Sequence, residues 1–259
     1  MHRITIVLIF LFSFLMNAQN NAVGTNEKLV FTASYNMSGI LNNLAEVTME
    51  TSEVKTSKAT LLRLKCTAAT YSKWDHFFKI RDLYESYVSP TTLKPYLYKR
   101  DINEGSYFKA MKYTYNHKAN TIKTLQQKKK KDGTLWDENK TITVQSKTKD
   151  IVTTLYSIRT FDFSNMSVGK STELTIVFDR EEIKAHITYL GKESLATVLG
   201  KKPCYKLSIS TSKSDVLKGT NSNIIWLTAD ENKIPVFATF KIPVGNGELK
   251  LKSASGLRH

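Results

Sequence analysis

The residues able to do chemistry in this 259-residue chain are few and scattered. Serine-based acyl transfer needs a Ser on a sharp turn, a His as base and a glycine-rich oxyanion loop. No Gly-x-Ser-x-Gly occurs. A zinc protease needs two His one helical turn apart with a Glu between them, whereas His76, His117 and His186 lie far apart in strand-like context. Glu182 and His186 share a strand face, which suits either a metal pair or a solvated polar surface. Asp179-Arg180-Glu181-Glu182 offers paired carboxylates of the kind glycosidases use, or simply a charged turn between strands. No glycine loop could cradle a phosphate. The sequence therefore predicts no catalytic residues, no metal and no cofactor, and a protein that is not an enzyme.

Three other groupings stand out. Gln126-Gln127-Lys128-Lys129-Lys130-Lys131 is the densest basic cluster, with Asp132, Asp137 and Glu138 diluting it. It reads either as a hairpin that contacts an anionic envelope surface or as an exposed tip whose lysines discourage edge-to-edge pairing. Cys66 and Cys204 are the only cysteines. In an oxidising compartment they could form a disulfide closing a long loop; the alternative is two separate buried thiols. Aromatic residues crowd the stretch from Trp74 to Tyr115. In a flat sheet they are core; in a sheet curled around a groove, Trp74, Phe78, Tyr84, Tyr96 and Tyr113 line a cavity able to take an acyl chain.

The elements that would position these groups are strands. Leu29, Phe31, Ala33 and Tyr35 alternate with Val30, Thr32 and Ser34, and the same period of two recurs at Leu62-Leu64, Leu174-Phe178, Ile183-Tyr189, Tyr205-Ile209 and Val236-Ile242. One wet and one buried face on successive strands marks an antiparallel sheet. Turn residues fall between them: Ser89-Pro90-Thr91-Thr92, Asp132-Gly133, Asp230 to Lys233, and Gly245-Asn246-Gly247. Connections this short predict a meander. Asp150 is placed to cap one helix, Ile151 to Thr160, whose Ile151, Leu155 and Ile158 share a face. Ser72 to Phe78 reads as one helical turn before a strand Lys79 to Val88, or, because Phe77, Ile80, Tyr84 and Tyr87 also meet the helical spacing, as part of a longer helix.

The N-terminus bears on all of this. Met1-His2-Arg3 is a basic start, Ile4 to Met16 is apolar apart from Thr5 and Ser13, and Asn17-Ala18-Gln19 offers a small residue for cleavage. Thirteen residues of helix span roughly 20 Å, short of the ~30 Å hydrocarbon core. Residues 1–18 are therefore expected to be a cleaved secretory signal peptide rather than an anchor. No Cys follows for lipid attachment. The expected layout is a short polar leader at 19–27, a single β-rich domain at 28–252 and a flexible tail at 253–259, in the periplasm or secreted. The formal charge of +15 would ordinarily suggest nucleic acid. Export argues against that partner and leaves an apolar small molecule, an envelope component or a peripheral membrane contact, with the oligomeric state open.

Several segments in their order resemble an exported bacterial family, domain of unknown function 3108. They are Phe77-Phe78-Lys79-Ile80-Arg81-Asp82-Leu83-Tyr84-Glu85-Ser86-Tyr87 followed by Thr92-Leu93-Lys94-Pro95, then Asp150 to Arg159, then Trp226-Leu227-Thr228-Ala229-Asp230 running into Ile234-Pro235-Val236. The resemblance covers residues 28 to 252. It implies a curved, half-barrel-like antiparallel sheet with one or two short helices, similar in outline to carriers of lipids and lipoproteins, and supplies no catalytic residues.

Overall fold

The computed structural model describes residues 19–37, 40–130, 132–211, 223–242 and 245–259. The expected signal peptide and Lys131 lie outside the described residues. The chain runs β1 (Lys28–Met37), β2 (Ile40–Lys55), β3 (Thr60–Thr70), β4 (Arg81–Val88), β5 (Pro95–Glu104), β6 (Tyr107–Asn116), β7 (Thr121–Lys129) and β8 (Leu135–Thr143). It continues through β9 (Lys149–Asp150), α1 (Ile151–Ile158), β10 (Ser171–Phe178), β11 (Glu181–Thr197), β12 (Gly200–Thr211), β13 (Ile224–Thr228), β14 (Pro235–Ile242) and β15 (Gly245–Ser255). A 3-10 turn, Ser72–Trp74, precedes β4.

All the strands form one open, curved sheet in the order β8-β7-β6-β5-β4-β3-β2-β1-β15-β14-β13-β12-β11-β10-β9. The meander expected from the short connections holds on both arms, and among the described strands only β9 pairs in parallel, with β10. The chain walks from β1 out to the β8 edge, crosses through β9 and α1 to the other edge, and walks back until β15 pairs with β1, Leu29 opposite Ala254.

The two arms are pinned where the β10–β11 hairpin reaches the concave face. Asp179 and Arg180 have φ of 46° and 65°, the left-handed pair that a two-residue hairpin needs. Asp179 receives Arg100 and Lys109, the latter at 3.0 Å; the Arg180 amide donates to Tyr113 Oη at 2.9 Å; and Arg180 pairs with Glu138 of β8 at 2.9 Å. Charge attraction offsets the backbone cost of placing non-glycine residues there.

Helix α1 forms where Asp150 predicted it. The carboxylate accepts the Thr153 amide at 2.8 Å and also holds Ser86 of β4, so the cap ties helix to sheet. The helix ends two residues before Thr160, at Ile158, with Arg159 as its C-cap.

Three expectations are corrected. Residues 19–27 are not a leader apart from the domain: Ala22, Val23 and Glu27 are buried, and Glu27 meets Arg159 at 2.6 and 2.8 Å in a fully buried pair. A charge buried this deeply requires such a partner, and no local pattern reveals one 132 residues away. The tail is not frayed. β15 runs to Ser255, Arg258 donates to the Asn20 carbonyl at 3.1 Å, and the His259 amide donates to Asn232 Oδ1 at 3.0 Å. Gly256 allows this path: its φ is 63°, and a Cβ there would lie 1.9 Å from the Asn26 carbonyl oxygen. Finally, Gly245-Asn246-Gly247 belongs to β15 itself rather than to the turn before it.

Candidate functional site

Three adjacent central strands each carry a small residue on the inward face. Ala33 on β1 lies opposite Ala45 on β2, and Tyr35 lies opposite Gly247 on β15. Missing side-chain volume on a curved sheet leaves a hollow. A cavity of about 560 Å³ lies there, walled by Ala33, Ser34 and Tyr35 of β1, Leu44 and Ala45 of β2, Thr70 of β3, Phe240 of β14 and Gly247 of β15. Gly247 leaves room for the Phe240 ring, which a Cβ would meet at 2.2 Å unless the ring turned aside.

The segment between β3 and β4 forms the mouth, contributing Trp74, Phe77, Phe78 and Ile80. It is firmly tied down. The Tyr71 amide donates to the Leu44 carbonyl at 2.9 Å, and the Trp74 indole N–H donates to the Asn43 carbonyl at 2.7 Å. Asp75 takes Thr70 Oγ1 at 2.5 Å and Arg81 Nη2 at 2.6 Å; these bonds hold its carboxyl below the usual range. With Thr70, Ser34 and the Trp74 indole already engaged, the cavity wall is mainly hydrocarbon and aromatic ring.

A smaller hollow of about 140 Å³ continues the same face, between Phe31, Val47, Met49, Cys66 and Phe237 of the sheet and Leu155, Ile158 and Arg159 of α1. Phe31 and Ala33, like Val47 and Ala45, are next-but-one neighbours on their strands, so both hollows belong to one trough. The helix fills one end; at the other, among the described residues, the tethered aromatic segment stands at the opening.

Of the residues expected to line a groove, the structure brings together Trp74 and Phe78. Tyr113 is in the core, 5.2 Å from the Tyr98 ring, with burial pushing its hydroxyl up to about 12. Tyr84 is half-buried against the same core, its hydroxyl also raised by burial. Tyr96 is exposed at the start of β5, edge-on to His117. Phe77, Ala33, Ala45 and Phe240 were missed. The available signal was the run of small residues at inward positions.

The lysine cluster is divided. Lys128 points inward over the Trp136 ring at 5.4 Å, Lys129 is exposed on the opposite face, and Lys130 enters the turn, where its amide bonds Thr134. Alternation along β7 separates what the sequence places side by side. Cys66 and Cys204 are free thiols on β3 and β12, six places apart in the sheet. Burial raises the Cys66 thiol to about 12. Glu182 accepts the Gln145 amide at 2.7 Å and Thr148 Oγ1, and His186 faces Glu173. Among the described residues no three metal-ligating side chains come together, and no helix is long and apolar enough to cross a membrane.

The sequence pattern of the proteins of unknown function DUF3108 matches residues 30–252. The chain belongs to the DUF3108 family. No curated protein sequence matches it. Among solved structures, this DUF3108 chain is similar to a β-barrel-like protein of domain of unknown function DUF1849 from Brucella abortus, with a TM-score of 0.56 at 10% identity, over 89% of this chain and 97% of that one. At that identity the likeness concerns the fold alone.

Proposed function

We propose that this DUF3108 protein is an exported, non-catalytic binding protein whose trough holds an apolar, acyl-chain-like ligand. One observation carries the reading: a cavity of about 560 Å³, walled mainly by hydrocarbon and rings, on the curved sheet. Ligand pockets typically measure roughly 300–1,000 Å³ and are mostly apolar. A cavity with so few exposed polar atoms selects by shape and hydrophobicity, as suits an alkyl chain. The basic start and apolar run of residues 1–16 support export.

The test is titration with a dansyl-labelled fatty acid, followed by its fluorescence. The wild-type protein should give a saturable, blue-shifted signal. Ala45→Trp, which places an indole in the hollow, should abolish it while leaving the far-ultraviolet circular dichroism unchanged. No saturable signal from the wild type, or an equal signal from a folded Ala45→Trp protein, overturns the proposal.

A further inference from the structure

We infer that the mouth of the cavity docks on an anionic lipid surface, with the segment 72–79 as its inserting element; this rests on the proposed acyl-binding reading. Large apolar side chains at this end face water. Phe77 is 82% exposed, Phe78 52%, and Ile40 and Leu41 at the start of β2 are 66% and 50% exposed. The segment bonds to β2 at Asn43 and Leu44, within a few residues of Leu41, so these side chains rim one end of the sheet. Exposed apolar side chains grouped around the opening of an apolar cavity call for a partner.

The charges beside them indicate which partner. Lys73 and Lys79 flank Trp74, Phe77 and Phe78 and are exposed. Asp75, the acid within the segment, is held by Arg81 and Thr70, and Glu46 nearby is paired with Lys252 at 2.9 Å. The unneutralised charge on the segment is therefore positive. Aromatic rings bracketed by lysines suit the boundary between acyl chains and anionic headgroups, where rings sit at headgroup depth and lysine stems reach past them to the phosphates. Because Trp74, Phe77 and Phe78 also line the cavity, insertion would bring the trough's aromatic wall to the acyl region.

The experiment is flotation with vesicles of equal parts phosphatidylglycerol and phosphatidylcholine, against vesicles of phosphatidylcholine alone, with dansyl fatty-acid uptake measured in parallel. The wild type should float with the anionic vesicles and be released by salt. Lys73→Glu with Lys79→Glu should reduce flotation about tenfold or more while leaving uptake of the free fatty acid intact, since neither lysine lines the cavity. Ala45→Trp should do the reverse, floating normally without uptake. Failure of the wild type to float with anionic vesicles, or equal flotation of the charge-reversed protein, overturns the docking surface and leaves the acyl-binding reading untouched. Normal flotation with no fatty-acid uptake by the wild type supports the docking surface and overturns the acyl-binding reading.

Discussion

Replacing Glu27 by Ala tests whether residues 19–27 are structural. Both partners of the Glu27–Arg159 pair are almost fully excluded from solvent, with side-chain exposures of 0% and 1%. Two Arg159 nitrogens reach the two carboxylate oxygens, while Nε and Nη2 also bond the carbonyls of Asn232 and Ala22 at 3.0 and 3.1 Å. Removing the carboxylate strands a buried guanidinium, a loss of about 3–5 kcal/mol. At roughly 2–4 °C per kcal/mol for a chain of this size, thermal unfolding should fall by roughly 6–20 °C. The assay is circular dichroism melting of Glu27→Ala, Arg159→Met and the Glu27→Leu, Arg159→Met double variant. The double variant should recover part of the loss, because it leaves neither charge stranded. A shift below about 2 °C for Glu27→Ala, or a double variant as destabilised as the two singles summed, would refute the reasoning.

Two further outcomes are expected. Burial raises the Asp150 carboxyl above its ordinary range despite bonds from Ser86 and Thr153, so its contribution favours folding at low pH and is lost as pH rises through the folded-state value; Asp150→Asn, which keeps the cap acceptor, should flatten that slope in urea melts across pH, whereas Asp150→Ala should cost about 1–3 kcal/mol. Cys66 and Cys204 should resist alkylation by iodoacetamide in the folded protein near pH 8 and both react once it is denatured, as mass spectrometry would show, because burial raises both thiols.

The sheet was legible because alternation is a local property: Leu29 to Tyr35 declare their faces without reference to anything distant, and Asp150 announces its helix from three residues away. Alternation tells which side chains point inward but not where the inward space goes unfilled. Tyr113 and Trp74 looked equivalent in sequence, yet Tyr113 sits under the β10–β11 hairpin and Trp74 at an opening. That difference depends on Asp179 reaching Arg100 across the curl of the sheet. The hollow was visible only as absent mass at Ala33, Ala45 and Gly247. The buried Glu27 was illegible for a similar reason, since a Glu in a polar stretch signals water until Arg159 is known to face it.

The pairing of β1 with β15 has a kinetic meaning. Lys28 lies opposite Ser255, so the ladder at the centre of the sheet joins nearly the most distant residues in the described chain. Each arm is a meander that can zip along local hairpins, but the seam between the arms waits for β15. Closing so long a loop costs entropy before any contact repays it, and chains dominated by such pairings fold slowly. During that wait β1 offers an unpaired edge along its length, and the apolar inner faces of both arms remain open to other chains. The strand that completes the trough is thus also the one whose late arrival leaves the folding chain most open to misassembly.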